Sequence, residues 1–195
     1  MLYITVILSS LVAVGLCHAP WGDAFSVNAL LVSLGNSALG VVSVIAIDGI
    51  VAFIVRRMPA AWFSPEKRMY AVSKREREWL RRSGIGWWKR FVPELGCFTG
   101  FHKNRVQNPS DPAYLERFLL ESNYGAVGHI AGALLGFLIL LLPYCRPLSV
   151  GLPIAIVNFV LSMLPTCILR YNTPSLLRLW QRAKRETEKS SLRNP

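Results

Sequence analysis

The sequence predicts an all-α, polytopic membrane protein with four transmembrane helices, a cytoplasmic amphipathic loop and both termini in the cytoplasm. Three observations lead there. The 195 residues are 52% apolar yet include 22 Lys+Arg against 11 Asp+Glu, a net charge of +11. Soluble domains rarely join those properties, whereas membrane proteins sort apolar residues into spans and basic residues into loops. Second, four apolar stretches, about residues 2–17, 27–55, 125–145 and 147–169, approach or exceed the ~20 residues that cross a ~30 Å hydrocarbon core. Third, the cations are unevenly placed: 14 fall between Arg56 and Arg117, seven between Arg170 and Arg193, and Arg146 stands alone. The positive-inside rule then puts loop 56–124 and the basic tail 170–195 in the cytoplasm, with the two short turns outside. One membrane domain, 1–195, in the inner or plasma membrane satisfies all three.

The first stretch resembles a signal peptide in its apolar run but has no basic leader, so it reads as a retained span. Its roughly 16 residues are marginal for crossing, which suggests a peripheral helix. Trp21 in the following turn suits the aromatic belt. The second stretch is long, about 43 Å as a helix, so it must tilt or project. Ser33, Ser37, Gly40 and Asp48 share roughly one face of it, with Asn36 and Ser43 beside them. That face must point at protein or at a wet cavity. Asp48 has two readings: an interfacial carboxylate paired with a loop cation, or a substrate-binding group in a polar cavity.

In the loop, Ser64-Pro65-Glu66 has the signature of a helix start. Met69, Val72, Trp79 and Leu80 then recur at helical spacing, predicting a basic amphipathic helix on the anionic inner leaflet. Gly84 and Gly86 end it. Trp87 and Trp88, beside Lys89 and Arg90, suit an interfacial anchor. Membrane lipids are therefore the expected partner of these basic runs, and nucleic acid is not.

Asp111 followed by Pro112 is a helix cap leading into the third span. That helix carries Glu121 at its polar end, His129 about two turns further in, and Gly128, Gly132 and Gly136 at four-residue spacing. Such a small-residue stripe packs either against another helix of the chain or against a second copy, as a homo-oligomer. Pro153, Asn158 and Pro165 interrupt the fourth span, so a kink or break near a cavity is expected there. The tail offers Leu176, Leu177, Leu179 and Trp180 to the interface.

No phosphate loop, dinucleotide fingerprint, GxSxG elbow or HExxH motif is present. Cys17, Cys97, Cys145 and Cys167 form no CxxC pair, and Cys97 with His102 is too few ligands for zinc, so no metal site and no resident cofactor are expected. A disulfide between Cys17 and Cys145 is conceivable near the outer face. What remains is a set of polar residues near the cytoplasmic ends of the spans: Trp88, Lys89, Glu121, His129, Arg170, Tyr171 and Asn172.

On those residues the chain resembles the glycosyl-4,4'-diaponeurosporenoate acyltransferase family, small membrane proteins that add a fatty acyl chain to a glycosylated carotenoid. The matching pieces are Trp88-Lys89 with the following Pro93, the Glu121-Ser122 pair eight residues before His129, and Arg170-Tyr171-Asn172 with Pro174. Ser122 stands where the family usually has threonine, Ala126 where it has a second glutamate, and Thr173 where it has arginine. The resemblance implies an acyltransferase acting on a hydroxyl of a glycolipid, with acyl-CoA or an acyl lipid as donor substrate. His129 would be the general base, and Glu121 would orient it or position the sugar. Trp88, Lys89, Ser122, Arg170, Tyr171 and Asn172 would bind substrate. Two other classes fit the residues alone: a small membrane methyltransferase or reductase holding a nucleotide-type cofactor at its cytoplasmic face, and a non-catalytic lipid-binding accessory subunit.

Overall fold

A computed structural model describes residues 2–19, 26–92 and 106–193. Six α-helices carry the fold: α1 (Leu2–His18), α2 (Val27–Arg57), α3 (Lys74–Arg82), α4 (Ile85–Trp88), α5 (Pro112–Leu135) and α6 (Leu148–Arg193). Short 3-10 segments join them, and no strand occurs among the described residues. The chain is all-helical as expected. Three of its helices, α2, α5 with its 3-10 extension to Leu141, and α6, are long and apolar enough to cross a membrane, and α1 is a shorter apolar helix. The residues form two compact units: Met1–Val55 with Gly128–Leu164, and Arg56–Val127 with Pro165–Pro195.

The first unit buries small and polar residues beside its apolar core and turns many large apolar residues outward. On α2, Ser33, Ser37, Gly40, Val44, Val51 and Val55 are buried, while Leu31, Val32, Leu39, Val42, Ile50 and Phe53 are exposed. Lipid rewards this arrangement, because helices that cannot gain from hiding apolar surface associate through close backbone approach and satisfied polar groups. The polar face read from the sequence accordingly points at protein. Ser33 Oγ donates to the Gly15 carbonyl of α1 at 2.7 Å, and Ser37 Oγ donates to the Ser33 carbonyl at 3.1 Å. Ser43 and Tyr144 hydroxyls lie 2.7 Å apart. Around these contacts sits a core of Val14, Val44, Ile139, Cys145, Val150, Ile154 and Ala155.

The glycine stripe is used unequally. A methyl group at Gly132 would lie 2.6 Å from Asp48 Oδ1, and one at Gly136 would lie 2.6 Å from Asn158 Nδ2. Both glycines thus make room for polar side chains of α2 and α6 within one chain. Gly128 has nothing within 4 Å of its added carbon.

The second unit corrects several expectations. Residues 64–72 are not the start of an amphipathic helix: α3 begins at Lys74, capped by Ser73, whose Oγ accepts from the Glu76 N–H at 3.1 Å. Tertiary burial overrides the local pattern. Tyr70 is 7% exposed, its ring stacks at 6.4 Å on Phe63, and its hydroxyl donates to the Trp62 carbonyl at 3.0 Å. Lys67 and Ala71 adopt extended backbone to allow this, which leaves Met69 exposed. Gly84 does terminate α3, with φ +73° in the left-handed region that suits glycine. Asp111 Oδ1 caps α5 as read, accepting from the Ala113 N–H at 2.9 Å. Toward its other end α5 tightens into a 3-10 segment, Gly136–Leu141, and stops before Pro143, where Leu142 is extended as residues before proline tend to be.

Neither Pro153 nor Pro165 breaks α6, which runs for 46 residues and contains Pro174 as well. The tail does not offer its apolar face to the interface. Leu176, Trp180 and Ala183 are buried against Leu115, Phe118 and Leu119 of α5. Cys17, Cys145 and Cys167 are free thiols, so the conceived disulfide is not formed. Cys97 and His102 lie outside the described residues.

Gly132→Ala is expected to destabilise the protein by about 1–3 kcal/mol, as overpacking does. Gly128→Ala, with open space, should be neutral or stabilising by up to about 1 kcal/mol through helix propensity. Thermal unfolding of the two variants in detergent checks the contrast. Equal melting temperatures would show that Gly132 does not have to accommodate Asp48.

Candidate functional site

The site residues distribute over both units, each with its own polar cluster. In the second unit, Arg170 of α6 forms a two-point ion pair with Glu76 of α3. Its Nε donates to Oε1 and its Nη2 donates to Oε2 at 2.8 Å, with a longer contact of 3.5 Å from Nη2 to the Ala71 carbonyl. Glu76 sits in the first turn of α3, where a carboxylate also favours the helix N-terminus. The Arg170 hydrogen bonds hold the Glu76 carboxyl below its ordinary range, outweighing its partial burial. Nearby on α3, exposed Glu78 is held at about 2 by Arg81 and Arg82.

Beside this pair, Lys89 Nζ lies 5.8 Å from the centre of the Tyr171 ring, within cation–π range. No carboxylate pairs with Lys89 among the described residues. Trp88 Nε1 donates to the Ser83 carbonyl at 3.1 Å, which closes the α3–α4 turn. The two pieces expected to bind substrate, Trp88-Lys89 and Arg170-Tyr171, are thus brought together through Lys89 and Tyr171. Asn172 follows on the same helix, half-buried.

The third piece lies on α5. Glu121 accepts from Arg56 Nη1 at 3.0 Å. Ser122 is buried and its Oγ donates to the Phe118 carbonyl at 2.9 Å, bonding back along its own helix. Two neighbours absent from the expected set do more to fix this turn. Asn123 Nδ2 donates to the Phe63 carbonyl at 2.9 Å, and Tyr124 Oη donates to the Met58 carbonyl at 2.9 Å. The Tyr124 ring stacks on Phe63 at 3.9 Å. The signal for them was weak, since a buried asparagine and tyrosine look in sequence like ordinary helix residues. Glu76 was missed for a similar reason, as one acid among many cations. Ala126 and Thr173, the positions of departure, are both buried, and the Thr173 hydroxyl donates to the Leu169 carbonyl at 2.8 Å.

In the first unit, His129 is half-buried on α5 and makes no hydrogen bond or ion pair with another described residue. Asp48 pairs with neither a loop cation nor a base. Its Oδ1 accepts from Asn158 Nδ2 at 3.5 Å, a long contact, against the Gly132 backbone. Asn158 itself is nine-tenths buried. A further spacing in the chain, His18 and Asp23 with four residues between, has the HxxxxD form of one large acyltransferase class. Asp23 lies outside the described residues, and His18 Nδ1 is 2.8 Å from Ser149 Oγ. No cluster of three His, Cys, Asp or Glu side chains with metal-site geometry occurs among the described residues.

Helices α3, α4 and α6 thus bring Lys89 to Tyr171 beside an Arg170 clamped by Glu76. The glycosyl-4,4'-diaponeurosporenoate acyltransferase family matches residues 59–182, well over half of the chain, and the chain belongs to that family. No curated protein and no solved structure matches it. The family match spans Glu76, Lys89, Glu121, His129 and Arg170, and leaves Asp48 outside.

Replacing Glu76 by Gln is expected to cost about 1–2 kcal/mol, less than a fully buried pair because both side chains retain about a quarter of their exposure. The pH dependence follows from the lowered carboxyl. Its stabilisation is fully present above the ordinary glutamate range, near 4.3, and is lost as pH falls through the lower folded-state value. Melting curves from pH 7 to pH 3 should therefore converge for the native chain and Glu76→Gln at the acid end. A constant gap across that range would assign the loss to packing.

Proposed function

We propose that this chain is a membrane O-acyltransferase that moves a fatty acyl group onto a hydroxyl of a glycosylated lipid, a carotenoid glycoside or another glycolipid. Family membership over residues 59–182 is the observation that carries this reading. The proposed topology is four spans in the inner membrane with both termini cytoplasmic, supported by the cation distribution and by three helices of spanning length.

In the proposed reaction His129 takes the proton from the acceptor hydroxyl as its oxygen attacks the acyl carbonyl, the bond from the carbonyl carbon to the donor's sulfur or oxygen breaks, and the departing thiolate or alkoxide takes up that proton as the new ester forms. An imidazole suits that step because its ordinary pKa lies near neutrality. Glu121 positions the sugar; its ion pair with Arg56 fits anchoring rather than orienting an imidazole. Lys89 holds the anionic part of the donor, a thioester of coenzyme A or an acyl lipid, or stabilises the developing oxyanion. It suits this better than Arg170, whose charge Glu76 already neutralises. Trp88, Ser122, Tyr171 and Asn172 complete the binding surface, and Asp48 is assigned to the acceptor. Chemistry of this kind needs no resident cofactor. Association of copies through Gly128, the one open glycine of the stripe, is compatible with the reading.

Lipid mass spectrometry of cells with and without the chain tests this. An acylated glycolipid should vanish on deletion and fall by about 100-fold or more with His129→Ala, the range of general-base contributions. Product that persists undiminished in the variant would sink the base assignment. Lipids unchanged on deletion would overturn the enzyme reading itself.

A further inference from the structure

The run Trp87-Trp88-Lys89-Arg90-Phe91 presents two different surfaces. Trp88 and Lys89 turn toward Ser83 and Tyr171 of their own unit, as described above. Trp87, Arg90 and Phe91 turn outward. Trp87 is 63% exposed and Phe91 44% exposed, with their rings 5.1 Å apart, edge to face at 68°. The Arg90 guanidinium lies 5.2 Å from the Trp87 ring centre and 4.8 Å from that of Phe91. Two large exposed rings joined by a stacked cation are costly in water, and such patches mark interaction surfaces. Stacking on the ring faces leaves the N–H edge of the guanidinium able to fork onto a phosphate.

We propose that Trp87, Arg90 and Phe91 form a docking site for anionic phospholipid at the cytoplasmic surface of the membrane. The rings occupy the interfacial zone and Arg90 holds a headgroup phosphate. Three features select a bilayer as the occupant. The chain carries helices of membrane-spanning length, so a bilayer is at hand. Tryptophan is the side chain that interfaces favour, having an apolar body and a polar edge. The segment 74–90 holds seven cations against two acids, a sign that matches an anionic leaflet and repels a second copy of the same segment. The site is separate from the proposed chemistry, because Lys89 faces the other way and is not consumed by docking.

Hydrogen exchange of the backbone amides of residues 85–92 tests this, using the full chain in nanodiscs of phosphatidylglycerol or of phosphatidylcholine. Protection of the unaltered chain should be greater in phosphatidylglycerol. Arg90→Ala should reduce that excess about fivefold, the effect of one cation at an anionic surface. Trp87→Ala should reduce protection in both lipids. Amides of residues 115–127 serve as the control for folding and should not change. Equal protection of the unaltered chain in the two lipids would overturn the headgroup assignment without any variant. Protection that survives both substitutions would overturn the site, as would a dimer in phosphatidylglycerol discs that dissociates in Trp87→Ala, which would make the face a contact between copies.

Discussion

The ion pair between Glu76 and Arg170 is the contact on which the organisation of the second unit turns. Helix α3 has nine residues, too few to be stable alone in water. Its cap at Ser73 satisfies backbone donors, buried Leu80 anchors its apolar side, and the carboxylate–guanidinium fork joins it to α6. The turn at Gly84, the Trp88 contact to Ser83 and the approach of Lys89 to Tyr171 all follow in the chain from that position. The second unit thus adds directional polar contacts to an apolar core on α5 and α6, and it loses the α3–α6 fork if either charge is lost.

The first unit answers to a different solvent. Its interior joins an apolar core to serines, close glycines and an aspartate–asparagine contact, and its outside is rich in leucine, valine and isoleucine. In hydrocarbon an unsatisfied polar group has no water to turn to, so Ser33 and Ser37 bond to carbonyls, Ser43 pairs with Tyr144, and Gly132 and Gly136 admit polar side chains. The same chain thus uses inverted packing rules on either side of residues 55 and 128.

Much of this is legible in the sequence where the physics is local. The helical class, the Asp111 cap, the end of α3 at Gly84 and the inward polar face of α2 follow from periodicity and from the special chemistry of aspartate, glycine and serine. The family pieces could be read as strings. What escaped was decided by distant partners. Tyr70 is drawn out of a helical pattern by Phe63 and Trp62, and Leu176 and Trp180 are claimed by α5 instead of the interface. Prolines 153 and 165 looked like breaks because sequence shows the missing donor and not the neighbours that support the helix around it. Glu76 carried no local mark of its partner, 94 residues away.

The alternation within Trp87-Trp88-Lys89-Arg90-Phe91 has a consequence for how this segment tolerates change. Each helical step rotates a side chain by about 100°, so gaining one residue before Trp87 would move Lys89 to the place of Arg90 and Trp87 to that of Trp88. Lys89 would be sent outward and an aromatic ring inward, with composition and net charge almost unaltered. Substitutions can be absorbed here one face at a time, whereas a single inserted residue changes both faces at once. Variation in this stretch should therefore take the form of replacement at constant length.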